Sequence, residues 1–173
     1  MKRAFIFDMD GVIVDSEPLH TATKMETFHH FGIPFEERRL EQYAGRTSKE
    51  LFSDALADCP TALTWKDLAD YKHRLYIDRL THAADIVPIP GVVQLIARLH
   101  AKGNLLAVAS STGRNIIEMV LRRFGVRPYF TAVISGAELP RSKPDPAIYR
   151  KAADSLGIVP VHCTVIEDAA AGI

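Results

Sequence analysis

The chain has 173 residues, of which 47% are hydrophobic and 24% charged, the composition of an ordinary globular protein with one sizeable core and room for a modest insertion. Twenty-one basic residues balance twenty-one acidic ones, which argues against a large electropositive surface for nucleic acid. No apolar run approaches the roughly 20 residues needed to cross a bilayer, and Asp8 and Asp10 interrupt the N-terminal apolar stretch too early for a secretory signal. Cys59 and Cys163 belong to no CxxC pair and read as free thiols of a reduced, cytoplasmic compartment.

In chain order, residues 4–7, 105–109, 132–134 and 164–166 are short apolar runs that predict parallel strands buried on both faces. Helical periodicity follows the second over 115–124, ending at Gly125, and the third over 146–156, ending at Gly157. Strand, helix, strand, helix predicts an α/β fold, a doubly wound, Rossmann-like parallel sheet. Residues 16–87 break the alternation with helical segments at 19–31, 48–56 and 65–80 and no convincing strand. The expected organisation is therefore an α/β core of 1–15 and 88–173 with an all-helical cap of 16–87. Gly172-Ile173 reads as the opening of a helix with nothing to complete it, so the C-terminus is expected to be truncated.

Four short segments carry candidate chemistry. Asp8-Met9-Asp10-Gly11 follows the first strand, and in extended backbone residues i and i+2 face the same way. Two carboxylates beyond the C-terminal end of a parallel strand can divide the work of nucleophile and general acid/base. A calcium loop also contains DxDG, but its fifth and sixth positions would be Val12 and Ile13 instead of an oxygen ligand and glycine. Ser110-Ser111-Thr112-Gly113 ends the second strand before a helix, where hydroxyls and free N–H groups suit a phosphate or simply cap the helix. Lys143, in Ser142-Lys143-Pro144-Asp145-Pro146, lies between the third strand and a helix that Pro146 can open; a solvated loop lysine is the plain alternative. Glu167-Asp168 ends the last strand, either as a solvated turn or as ligands for a hard cation such as magnesium. An acid pair, a hydroxyl, a lysine and a second acid pair at four successive strand ends form one constellation.

Together DxDGV, the serine after an apolar strand, the KPDP loop and the ED pair resemble the haloacid dehalogenase (HAD)-like superfamily over essentially the whole chain. The helical insertion and Asp15-Ser16-Glu17-Pro18-Leu19-His20 resemble the subgroup that holds β-phosphoglucomutase and small sugar-phosphate phosphatases. The resemblance implies an aspartyl-phosphate on Asp8, with Asp10 as general acid and base. It implies Mg2+ held by the Asp8 carboxylate, the Asp10 carbonyl and Asp168, with Glu167 assisting. Ser110, Lys143 and the Ser111 N–H would hold the phosphoryl oxygens. Asp10 favours phosphoryl transfer over dehalogenation, whose branch lacks an acid there. For substrate contact it implies His20, Gly45, Arg46, Thr47, Ser48 and Lys72; beside these, Thr112 is a further substrate-binding candidate, and Arg114, near a helix start, is either a ligand for a distal phosphate or a solvated residue. Gly113 and Arg114 stand where the mutase-like run has lysine and asparagine, so a phosphatase acting on a small phosphorylated metabolite of the sugar-phosphate class is preferred. The alternative is a β-phosphoglucomutase, and a non-catalytic binding protein on the same fold is a minor third. The expected assembly is a monomer with no nucleic-acid or membrane partner.

Overall fold

The computed structural model describes residues 3–43, 47–57, 59–82, 86–140 and 143–169. Among these, four strands, β1 (Ala4–Phe7), β2 (Leu105–Ser110), β3 (Ala132–Ser135) and β4 (Cys163–Ile166), form one parallel sheet in the order β3-β2-β1-β4. From β1 the chain winds outward through β2 to β3 and then returns to place β4 on the other side of β1. With right-handed crossovers, that reversal sends the connecting helices to opposite faces. Doubly wound α/β architecture is thus what the chain adopts, and its switch point lies between the C-terminal ends of β1 and β4.

Among the described residues, three α-helices belong to this unit: α4 (Val92–Ala101), α5 (Arg114–Arg123) and α6 (Ala147–Leu156). On one sheet face Ile6, Ala107, Ala109 and Ile134 pack against Ile148, Ala152 and Leu156 of α6. The alanines leave room for the helix backbone to lie close to the strands, as dense core packing requires. Phe7 and Phe130 meet edge to face at 5.8 Å elsewhere in this core. β4 departs from expectation: Thr164 and Val165 are exposed. It pairs only with β1 among the described residues, so the double-sided burial of an inner parallel strand does not apply to it.

The chain divides into two compact units, Met1–Ser16 with Ala84–Ile173, and Glu17–Ala83. The second is helical, with α1 (Glu17–His30), a 3-10 helix (Glu37–Tyr43), α2 (Ser48–Leu56) and α3 (Trp65–His82). Its core gathers Phe28, Leu40, Tyr43, Leu51, Phe52 and Leu68, with Phe28 stacked on Phe35 at 4.2 Å and edge-on to Phe52 at 5.5 Å. Two buried threonines of α1 satisfy their hydroxyls within the helix: Thr23 Oγ1 donates to the Leu19 carbonyl and Thr27 Oγ1 to that of Thr23. No helix of the described residues is long and apolar enough to cross a membrane.

Candidate active site

Asp8 sits one residue beyond β1, and its backbone N–H continues the ladder by donating to the Ile166 carbonyl at 3.0 Å. That bond sets Asp8 beside the end of β4, and therefore beside Glu167 and Asp168. The chain then turns sharply, with the Met9 carbonyl accepting from the N–H groups of Ile13 (2.8 Å) and Val14 (3.0 Å). Around this turn the two carboxylates take different partners. Lys143 Nζ donates to Asp8 Oδ1 at 2.8 Å, whereas Asp10 Oδ2 accepts from Thr112 Oγ1 at 3.1 Å.

Gly11 makes the turn possible with φ +74° and also clears space for Asp168. A Cβ on Gly11 would fall 2.0 Å from Asp168 Oδ2. The Asp168 carboxylate therefore rests directly on the glycine. Asp8, Glu167 and Asp168 each offer a carboxylate oxygen, and these oxygens lie within 4.8 Å of one another. Three convergent carboxylates form a donor set suited to a hard divalent cation such as magnesium. The Asp10 carboxylate is outside that group, on Thr112.

Lys143 is the counter-charge. Its side chain is 11% exposed, and it donates to Glu167 Oε2 at 2.7 Å as well as to Asp8. Burial alone would lower the lysine, but Asp8, Glu167 and Tyr149 outweigh it and hold the ammonium above the usual lysine range. For Asp8 the balance tips the other way: burial pushes its carboxyl up to about 6 against the pull of Lys143. Burial also pushes Glu167 up, but the hydrogen bonds from Lys143 and Tyr149 prevail, and its carboxyl stays below the usual range.

The loop after β2 is held from beneath. Ser110 is 1% exposed, and its Oγ accepts from the Thr112 N–H at 3.1 Å, which leaves its own proton to donate. Ser135, fully buried at the end of β3, donates to the Thr112 carbonyl at 2.7 Å. Gly136 follows, and a Cβ there would stand 3.1 Å from Ser111 Cα, so its lack of a side chain lets the two strand-end loops lie together. Arg114 is engaged inside this unit: Nε and Nη2 fork onto Glu138 at 2.7 and 2.9 Å, and Nη1 donates to the Val133 carbonyl at 2.6 Å. The expected phosphate ligand is thus already a clamp between α5 and the β3 exit.

Within the helical unit, Lys72 Nζ lies 2.8 Å from His20 Nδ1, and the His20 ring stacks on Tyr76 at 4.4 Å. An ammonium has only donors, so Nδ1 accepts and the imidazole proton belongs on Nε2. Thr47 caps α2 by accepting from the Glu50 N–H, with Glu50 reaching back to Thr47, and Ser48 is the first residue of that helix. The expected contacts Gly45 and Arg46 lie outside the described residues.

Sequence reasoning overlooked Tyr149, Ser135, Gly136 and Glu138. Ser135 was detectable as a strand-end hydroxyl like Ser110, and Tyr149 as a first-turn residue of the helix that follows Lys143. Glu138 carries no local signal, because only the fold brings it to Arg114.

The family model described as haloacid dehalogenase-like hydrolase matches residues 5–173. A phosphorylated carbohydrates phosphatase of Thermotoga maritima is 31% identical over 173 residues, covering 99% of this chain and 78% of the relative. The β-phosphoglucomutase of Bacillus subtilis is likewise 31% identical over 176 residues, covering 99% and 77%. The crystal structure of CbbY from Rhodobacter sphaeroides, in complex with phosphate, superposes with a TM-score of 0.80 at 28% identity, covering 99% of this chain and 80% of that one. Family match, fold and the ordered strand-end residues converge: the chain belongs to the haloacid dehalogenase-like hydrolases.

Proposed function

We propose that the protein is a magnesium-dependent phosphatase for a small phosphorylated metabolite, of the sugar-phosphate class, working through an aspartyl-phosphate on Asp8. The observation that carries this reading is the buried Asp8 carboxylate, paired with Lys143 and grouped with Glu167 and Asp168 at the switch point of the sheet. The likeness to a phosphorylated carbohydrates phosphatase supports the substrate class.

The charges explain the arrangement. Asp8, Glu167 and Asp168 bring three negative charges and Lys143 returns one, while like charges 4 Å apart cost roughly 4 kcal/mol at an effective dielectric of 20. A magnesium ion held by Asp8, Asp168 and the Asp10 carbonyl, with Glu167 nearby, would offset this repulsion and polarise the phosphoryl group. Asp8 Oδ then bonds to phosphorus as the ester P–O bond breaks, and Asp10 gives its proton to the leaving oxygen. Water next attacks the phosphorus, passes a proton to Asp10, and the Asp8–phosphorus bond breaks. Lys143, the Ser110 hydroxyl and the Ser111 N–H spread the charge of the phosphoryl oxygens. Thr112 holds one oxygen of Asp10 and so orients the carboxyl group that exchanges the proton. Arg114 stands outside this clamp, and selection among sugars is assigned to the helical unit with His20, Thr47, Ser48 and Lys72.

The likeness to a β-phosphoglucomutase supports a second reading, transfer to a sugar hydroxyl. Phosphate release from a panel of sugar phosphates with Mg2+, run beside conversion of β-glucose 1-phosphate to glucose 6-phosphate, separates the two. Release of free phosphate is the expected result. Isomerisation stimulated by a sugar bisphosphate, with little free phosphate, would replace this reading by the second.

A further inference from the structure

Glu167 and Asp168 are adjacent acids, yet the structure gives them different neighbours. Asp168 is exposed and rests on Gly11, whereas the Glu167 side chain is only 4% exposed. Glu167 is also held at both oxygens. Oε2 accepts from Lys143 Nζ and from the Tyr149 hydroxyl, and Oε1 accepts from the Ala169 N–H at 3.2 Å. Two donors on one carboxylate oxygen fix its direction much more narrowly than either would alone.

Tyr149 is itself rigidly placed. It lies in the first turn of α6, its N–H donating to the Pro146 carbonyl at 3.1 Å, and its ring packs against the α6 face of the sheet. The Asp145 carboxylate accepts from the Ala147 N–H at 2.9 Å and steadies that turn. The Lys143 ammonium stands 5.4 Å from the centre of the same ring, within cation–π range. One side chain therefore touches both partners of the Lys143–Glu167 pair.

We propose that Tyr149 is a positioning residue of this site, whose hydroxyl keeps Glu167 on Lys143 and so leaves Asp8 and Asp168 as the carboxylates that face the cation. The proposal rests on the phosphatase reading for its catalytic consequence. Without the hydroxyl, the Glu167 carboxylate, which already offers an oxygen within 4.8 Å of those of Asp8 and Asp168, is free to turn from Lys143 fully onto the cation, adding its negative charge there while the lysine loses its fixed direction. Cation affinity and catalytic rate then move in opposite directions, which loss of packing alone would not produce.

The test is Tyr149→Phe, which keeps the ring and removes only the hydroxyl. Three quantities are measured beside wild type: kcat and KM for phosphate release, the Mg2+ dissociation constant by calorimetry on EDTA-stripped protein without substrate, and Tm. The expected result is a kcat about tenfold lower with KM within about twofold, Mg2+ bound several-fold more tightly, and Tm nearly unchanged. Mg2+ affinity that is unchanged or weaker overturns the proposal whatever the rate does, and so does an unchanged kcat in an active enzyme. If wild type releases no phosphate from any sugar phosphate, the functional reading fails, while the calorimetry still judges Tyr149.

Discussion

Replacing Gly11 by alanine perturbs the site through shape, without altering a charge. The new Cβ would fall 2.0 Å from Asp168 Oδ2 and 2.5 Å from its Cγ. Carbon and oxygen at ordinary contact stand about 3.5 Å apart, so the carboxylate must retreat by on the order of 1 Å. Alanine at φ +74° adds backbone strain of about 1–2 kcal/mol. At this chain length that strain lowers Tm by only some 2–8 °C. Catalysis should suffer much more, because a misplacement of about 1 Å in a reacting assembly can cost roughly a hundredfold. Phosphate release is followed as a function of Mg2+ concentration, with thermal melts run alongside in Mg2+ and in EDTA. The expected outcome is a kcat about a hundredfold lower, a higher Mg2+ requirement, and a folded protein whose melting point no longer rises much with Mg2+. Wild-type turnover with a wild-type Mg2+ response would refute the assignment of Asp168 to the cation site.

Asp8→Asn should reduce phosphate release to background. It should also stabilise the metal-free protein at neutral pH. Burial lifts Asp8 from 3.8 to about 6 in the folded state, so ionising it opposes folding; the penalty is absent below about pH 4 and complete above about pH 6. A shift of about two units corresponds to up to ~3 kcal/mol. Urea melts in EDTA at pH 4 and pH 7.5 check this, and a stability difference independent of pH would contradict it. Thr112→Val removes the hydroxyl that holds Asp10 Oδ2 and should lower kcat about tenfold with little change in KM. Steady-state kinetics decide, and an effect confined to KM would instead mark Thr112 as a substrate contact.

The parallel strands are legible because four apolar runs of strand length alternate with turn and helix signals, and the residues that end them are the ones that bear chemistry. Lys143 is the clearest case. As a residue in a loop it is indistinguishable from a solvated lysine, and only its place after a third strand end points inward; the structure sets it 2.8 Å from Asp8. Asp10 shows how a turn adds a partner that periodicity does not name. The turn around the Met9 carbonyl sends Asp10 to Thr112. Arg114 was a plausible phosphate ligand by position, but its donors are committed to Glu138 and Val133, a partnership set by the meeting of the α5 start and the β3 exit. Tyr149 stayed invisible for a similar reason. Its hydroxyl acquires a role only when the β1–β4 pairing brings Glu167 beneath the first turn of α6.

The proposed route passes through a covalent phosphoryl group on Asp8. It is tested most directly by quenching the enzyme during turnover of a sugar phosphate with Mg2+, reducing with borohydride, and mapping the modified residue by peptide mass spectrometry. Homoserine is expected at position 8, formed only when both substrate and Mg2+ are present. Steady turnover in excess EDTA, or a reduced acyl phosphate at any position other than Asp8, would contradict it.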